Sequence, residues 1–209
     1  SGKSSLAKEL HSLGLPLFSA DQAVRELYEP YGDGWTYLHN RFGGRFTGGE
    51  SGDTPVDKAK LFQAMIREPL LRQEVEQAVH PMVFVRLQHF WEENRNARAA
   101  VAEIPLYFEA GQETEPRPDL VVGVYCPAGL RRARARTRGL DPSVIDTLDS
   151  WQWPEQAKLN HCHLVLDNAH GLDHLKQQAV HLFSILQDLR RDRVRSFLAR
   201  LDPLLKTGD

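Results

Sequence analysis

Four short apolar runs set the architecture: LPLF at 15–18, ARAAVAEIPL at 97–106, DLVVGVYC at 119–126 and HLVLDN at 163–168. Segments of helical spacing separate them. Strands that are apolar along their whole length need cover on both faces, and alternation with helices is the pattern of a parallel sheet wrapped by helices. The expected class is therefore α/β. One stretch breaks the alternation, because from about Asp57 to Arg95 the pattern is almost all helical, interrupted by Pro69 and Pro81. It falls between the first and second strands and reads as an inserted helical subdomain. The expected division is a core over 1–29 and 97–190, a helical subdomain over 30–96 and a helical extension over 191–209.

Composition excludes more than it suggests. The chain has 209 residues and a formal net charge of −2, which gives no global field for nucleic acid or a membrane surface. It contains no apolar run long enough to predict a membrane-spanning helix. Cys126 and Cys162 are its two cysteines, and two free thiols suit a reducing compartment better than a disulfide scaffold does.

The chain opens SGKSS. A loop ending in Gly-Lys-Ser at a helix start cradles phosphates, because successive backbone N–H groups converge on the anion. The lysine adds charge for the β- and γ-phosphates, and the next hydroxyl ligates Mg²⁺. Gly2, Lys3 and Ser4 supply those three parts at the head of a helix running to Ser12; the strand and first glycine that such a loop needs upstream are not in this sequence. By itself the tripeptide is equally an ordinary helix N-terminus.

After the first strand, ADQAVREL places Asp21 and Arg25 four apart near a helix start, where Ser19 and Gln22 are spaced as a capping box. Either Asp21 accepts a proton while Arg25 holds a phosphate, or the two pair on a helix surface. The HCH at 161–163, with His170 and His174, has no close cysteine pair, so the histidines read as structural rather than as metal ligands.

Taken together and in order, SGKSS (1–5), SADQAVRE (19–26), EPYGDGW (29–35), VHPMV (79–83), IPLYFEAG (104–111) and VLDN (165–168) resemble the dephospho-CoA kinase family. That family shows GSGKS(S/T), DAD-x-x-x-R-E, EPGG-like turns, an HP pair, PLLFE and a late strand ending in DN. The likeness spans about residues 1–185. It implies a P-loop NTPase fold with a helical CoA-side subdomain and a lid at about 130–160. It further implies a cytoplasmic monomer or weak homo-oligomer without nucleic-acid or membrane partners. The implied reaction moves the γ-phosphoryl of ATP, with Mg²⁺, to the ribose 3′-hydroxyl of dephospho-CoA.

By the same resemblance Gly2, Lys3, Ser4 and Ser5 take the ATP phosphates, with Ser4 on Mg²⁺. Asp21 is the expected base and Arg25 the acceptor's arginine. His80, Pro105, Leu106, Phe108 and Glu109 line the acceptor side, although His80 by itself reads as structural. Asn168 falls where the late strand meets adenine. Among the arginines at 131, 132, 134, 136 and 138, two four-spaced pairs stand out, Arg132 with Arg136 and Arg134 with Arg138; the first is expected to reach ATP, while spacing alone leaves open which arginine faces the phosphates. Glu103 reads either as a carboxylate assisting Mg²⁺ through water or as a partnered strand-end acid.

The chain departs from the family pattern in two places. Ser19 replaces the first aspartate of DAD. In the lid, where many members show Q-x-S/T-R-E-x-R-L, this chain has QWPEQAKL (152–159), with Glu155 and Lys158 in the arginine positions. A carboxylate facing phosphates would repel them, which keeps open a weakened nucleotide- or CoA-binding domain, or another small-molecule kinase, as alternatives. Trp151 and Trp153 flank this segment and are expected to pack it against the core.

Overall fold

A computed structural model describes residues 1–48, 54–110, 117–137, 139 and 141–188. The expected extension at 191–209 and Arg138 lie outside the described residues. Packing divides the chain into two units, Ser1–Leu17 with the residues from Asn94 onward, and Phe18–Glu93. The observed boundary therefore assigns residues 18–29 to the helical unit, where the sequence places them with the core.

In the first unit, helix α1 (Lys3–Ser12) precedes the start of strand β1 (Leu17–Ser19). Strands β2 (Val101–Glu103) and β3 (Val122–Tyr125) follow, then helices α6 (Ala128–Thr137), α7 (Pro142–Ser150) and α8 (Glu155–Asn160), strand β4 (Leu164–Asp167) and helix α9 (Leu172–Asp188). The start of β1 pairs with β2, with Val101 N–H reaching the Pro16 carbonyl at 2.8 Å. Strands β3 and β4 run parallel, from Val122 opposite Leu164 to Tyr125 opposite Asp167.

The four expected strands thus appear, but as two two-stranded ladders, each strand shorter than its apolar run. Only residues whose N–H and C=O groups meet a neighbour join a ladder; in the run 97–106, residues 97–100 lead into the strand and 104–106 turn away after Glu103. Leu6 and Leu10 of α1 and Leu175, Ala179 and Leu182 of α9 repeat at helical spacing, and they close with Leu15, Val124 and Leu166 into one core. No helix among the described residues is long and apolar enough to cross a membrane.

The second unit holds helices α2 (Ala20–Leu27), α3 (Asp33–Phe42), α4 (Lys58–Arg67) and α5 (Pro69–Glu93). Helix α5 runs 25 residues without a break. Pro69 is its first residue, where a missing N–H leaves no bond unmade. Pro81 lies inside it, on the exposed side, while Leu71, Val75, Val79, Val83 and Leu87 bury the opposite stripe. Each of these side chains contributes about 1.5–3 kcal/mol by burial, which outweighs the roughly 3 kcal/mol of a solvent-facing interior proline. The expected interruption at Pro81 is therefore overturned by packing. The capping box is half formed: Ser19 Oγ accepts from Gln22 N–H at 3.4 Å, but the Gln22 side chain turns to Glu26 at 3.0 Å.

Candidate active site

In the first unit the loop ahead of α1 is built around Gly2. Its φ is +113°, a conformation open to glycine at little cost, and it caps α1 with no side-chain bond to the first-turn N–H groups. The N–H groups of Lys3, Ser4 and Ser5 open the helix with no acidic side chain in the first turn, an arrangement that suits an anion. Asn168 braces the loop from behind. The residue is 0% exposed and its Nδ2 donates to the Ser1 carbonyl at 2.7 Å, while Oδ1 has no hydrogen-bond partner among the described residues. In this structure the Asn168 side chain thus serves as a brace for the loop.

The close fit makes Gly2 sensitive. A Cβ there would lie 2.3 Å from Asn168 Nδ2. Gly2→Ala is expected to cost about 1–3 kcal/mol of stability, measurable by urea unfolding, and to weaken ATP binding in parallel. Unchanged stability and affinity would show that the loop shifts freely.

Four further side chains act on Lys3. Its ammonium is held below the ordinary lysine range, first by burial and then by the Lys158 charge; Glu103 and Glu109 oppose the shift, and Arg131 adds to it. Ser4 Oγ donates to Glu103 Oε1 at 2.5 Å, which joins the start of α1 to the end of β2. Lys158 on α8 is clamped by Glu109 Oε1 at 2.6 Å and donates to Gln152 Oε1 at 2.9 Å. Glu109 Oε1 also accepts the Trp153 N–H at 2.8 Å. The Glu109 and Lys158 side chains are only 12% and 17% exposed.

The lid arginines differ in their partners. Arg132 turns to Asp146 at 2.9 Å and Asp149 at 3.5 Å on α7, and Arg136 is exposed near the end of α6. The arginine whose charge reaches Lys3 is Arg131, and it pairs with Glu155 at 2.6 Å. Neighbouring residues of a helix point about 100° apart, so a four-spaced pair in sequence does not say which face meets the site. Glu155 is therefore not a bare carboxylate but one half of an ion pair. Glu155→Arg sets two guanidinium groups against each other and is expected to lower turnover about tenfold in a phosphoryl-transfer assay. A gain in rate would mean that the position lacked a useful cation.

Phe108 stacks on Trp153 with ring centroids 6.0 Å apart, and His161 meets both rings edge-on. Trp153 thus packs the lid segment, as the sequence suggests. Pro105 and Leu106 lie half-buried in the turn after β2, with the Ala110 N–H on the Leu106 carbonyl at 2.9 Å. His163 Nδ1 accepts the Val121 N–H at 2.9 Å and His174 meets Gln178 at 3.0 Å. Among the described residues no group of three His, Cys, Asp or Glu side chains could hold a metal.

In the second unit Asp21 stands exposed in the first turn of α2. Arg25 Nε donates to the Asp21 backbone carbonyl at 3.3 Å, and among the described residues the two side chains form no ion pair. The carboxylate is thereby left open. His80 is half-buried on α5, where burial lowers its pKa against an opposing Glu76, a neutral ring consistent with a structural role. Sequence reading missed Lys58, the first residue of α4. Its charge couples to Arg25, Glu29 and Asp21, and its only sequence signal was a lysine just after the helix-capping Asp57.

The α/β core, the glycine-built anion loop and the lysine–hydroxyl–carboxylate group define a protein of the P-loop NTPase class. The dephospho-CoA kinase family model matches residues 1–174. A dephospho-CoA kinase of Bradyrhizobium diazoefficiens is 34% identical over 186 residues, covering 88% of this chain and 89% of that protein. That of Brucella melitensis is 32% identical over 186 residues, with 88% of each covered. Among solved structures, TT1252 from Thermus thermophilus aligns with a TM-score of 0.68 at 28% identity, covering 90% of this chain and 92% of that one. The dephospho-CoA kinase of Campylobacter jejuni shares the fold, with a TM-score of 0.64 at 19% identity over 88% and 90% of the two chains. The chain belongs to the dephospho-CoA kinase family.

Proposed function

We propose that this chain transfers the γ-phosphoryl group of ATP to the ribose 3′-hydroxyl of dephospho-CoA, giving CoA. Lys3 supports this reading most directly: a half-buried ammonium with a second cation, Lys158, acting on it is poorly stabilised until an anion arrives. Phosphoryl transfer needs little covalent help from the protein, so positioning and charge do most of the work.

The first unit carries the donor groups. The N–H groups of Gly2 to Ser5 and the Lys3 ammonium hold the β- and γ-phosphates. Lys158, fixed by Glu109 and Gln152, and Arg131, fixed by Glu155, add positive charge from the lid. Ser4 Oγ and Glu103 are hard oxygen donors already in contact, which suits Mg²⁺, an ion that takes few protein ligands and keeps several waters. When bound, Mg²⁺ would neutralise charge on the β- and γ-phosphate oxygens.

The second unit carries the acceptor groups. Asp21 takes the proton of the attacking 3′-hydroxyl, and Arg25 holds the acceptor's phosphates. The protein acts in the cytoplasm, where Cys126 and Cys162 stay reduced, and works as a monomer or weak homo-oligomer. The test is ADP release by the full chain with Mg·ATP and dephospho-CoA, against adenosine and shikimate. Turnover confined to dephospho-CoA is expected. Equal turnover with adenosine, or none with dephospho-CoA, would overturn the assignment.

A further inference from the structure

We propose that Lys58 is a second acceptor-side cation, which with Arg25 grips the acceptor's diphosphate next to Asp21. The inference rests on the reading of the acceptor given above and assigns a residue for its anionic part.

Lys58 is fixed in place before any ligand arrives. Val56 N–H donates to the Tyr28 carbonyl at 2.9 Å, which ties the start of α4 to the end of α2, and Asp57 N–H donates to the Phe46 carbonyl at 2.8 Å, which ties it to the segment after α3. Asp57 then caps α4 by accepting the Lys60 N–H at 2.9 Å. The Lys58 ammonium stands 6.0 Å from the centre of the buried Tyr28 ring, at the outer limit of a cation–π contact. Burial also pushes the Tyr28 phenol up to about 12, so the ring beneath the ammonium stays neutral.

The charges around Lys58 suit an anionic ligand. Arg41, Arg45, Arg72 and Arg86 of the same unit are each paired with a glutamate. Among the described residues Arg25 and Lys58 form no ion pair, and both are exposed. Instead their charges act on each other: partial burial and then Arg25 hold the Lys58 ammonium below the ordinary lysine range, against Glu29 and Asp21. Two cations held together with exposed heads are stabilised by an anion that bridges them. Dephospho-CoA carries such an anion, a diphosphate attached to the same ribose whose hydroxyl reacts. A guanidinium and an ammonium on adjacent oxygens would also orient that ribose.

The test is equilibrium binding of dephospho-CoA and of ATP to the full chain over a range of salt concentrations. Lys58→Met keeps the stem over Tyr28 and removes the charge. It is expected to bind dephospho-CoA about tenfold more weakly, with a flatter salt dependence and unchanged ATP affinity, and Lys58→Arg to restore binding. Parental affinity in Lys58→Met, equal loss for both ligands, or a loss with unaltered salt dependence would overturn the proposal. If the binding differences hold while no ADP is released, the kinase assignment fails and the Lys58 site stands.

Discussion

Lys3→Ala is expected to reduce turnover about a thousandfold while leaving the fold as stable as before, or more stable. The ammonium is held below its ordinary value near 10.5, chiefly because it is buried and next because Lys158 repels it. A lysine whose folded pKa is lowered binds its proton less tightly in the native state than in the unfolded one. It therefore penalises the fold at every pH below the lowered value, and the penalty fades as pH rises toward 10.5. Alanine removes that penalty, so the melting temperature at neutral pH should stay or rise, and the difference should narrow in alkaline buffer. Phosphate reverses the balance by adding negative charge between the two lysines. The stabilisation conferred by ATP should accordingly shrink in the variant. Thermal unfolding with and without ATP, alongside ADP release, checks both halves. Near-parental turnover, or a lower melting temperature, would contradict this account of Lys3.

The second large effect is at Asp21. Asp21→Asn keeps size and polarity but cannot take a proton, and kcat is expected to fall about 10²- to 10⁴-fold. The exposed carboxylate is not engaged by Arg25, whose Nε bond goes to the Asp21 backbone. Removing its charge should therefore leave the arginine where it is and change KM for either substrate little. Steady-state kinetics with dephospho-CoA varied against fixed Mg·ATP separates the two parameters. A variant with near-parental kcat would show that Asp21 is not the base. A large rise in KM with kcat intact would make it a binding residue.

Local chemistry was legible in the chain wherever one or two neighbouring residues settle it. The helix Lys3–Ser12 ends where expected, because Gly14 takes a φ of +104° that other residues adopt at a cost. Ser19 caps α2 because its hydroxyl needs only the N–H three residues on. The α/β class followed from the spacing of apolar runs, and the order of short motifs pointed to the family that the comparisons then showed.

What could not be read were the outcomes of competition between distant groups. Pro81 looks like a break in sequence, yet the buried stripe from Leu71 to Leu87 carries α5 past it. The Gln22 side chain donates to Glu26 one turn on instead of reaching back to accept the Ser19 N–H. The arginines of α6 are equivalent in sequence; Arg131 is singled out only because Glu155 and Asp149 lie across from it, while Asp146 draws Arg132 away. Glu155 reads as a misplaced charge until its partner, 24 residues earlier, comes into contact with it. Lys58 comes beside the end of α2 only through the bond from Val56 to the Tyr28 carbonyl, which spans 28 residues of chain. The sequence by itself determined the glycine turn ahead of α1, the ends of α1, the cap of α2 and the fold class, because glycine conformation, capping and apolar periodicity act over a few residues. Only the tertiary structure decided which partner each of these charges meets, because a charge takes its role from whichever partner the packed chain brings within a few ångströms of it.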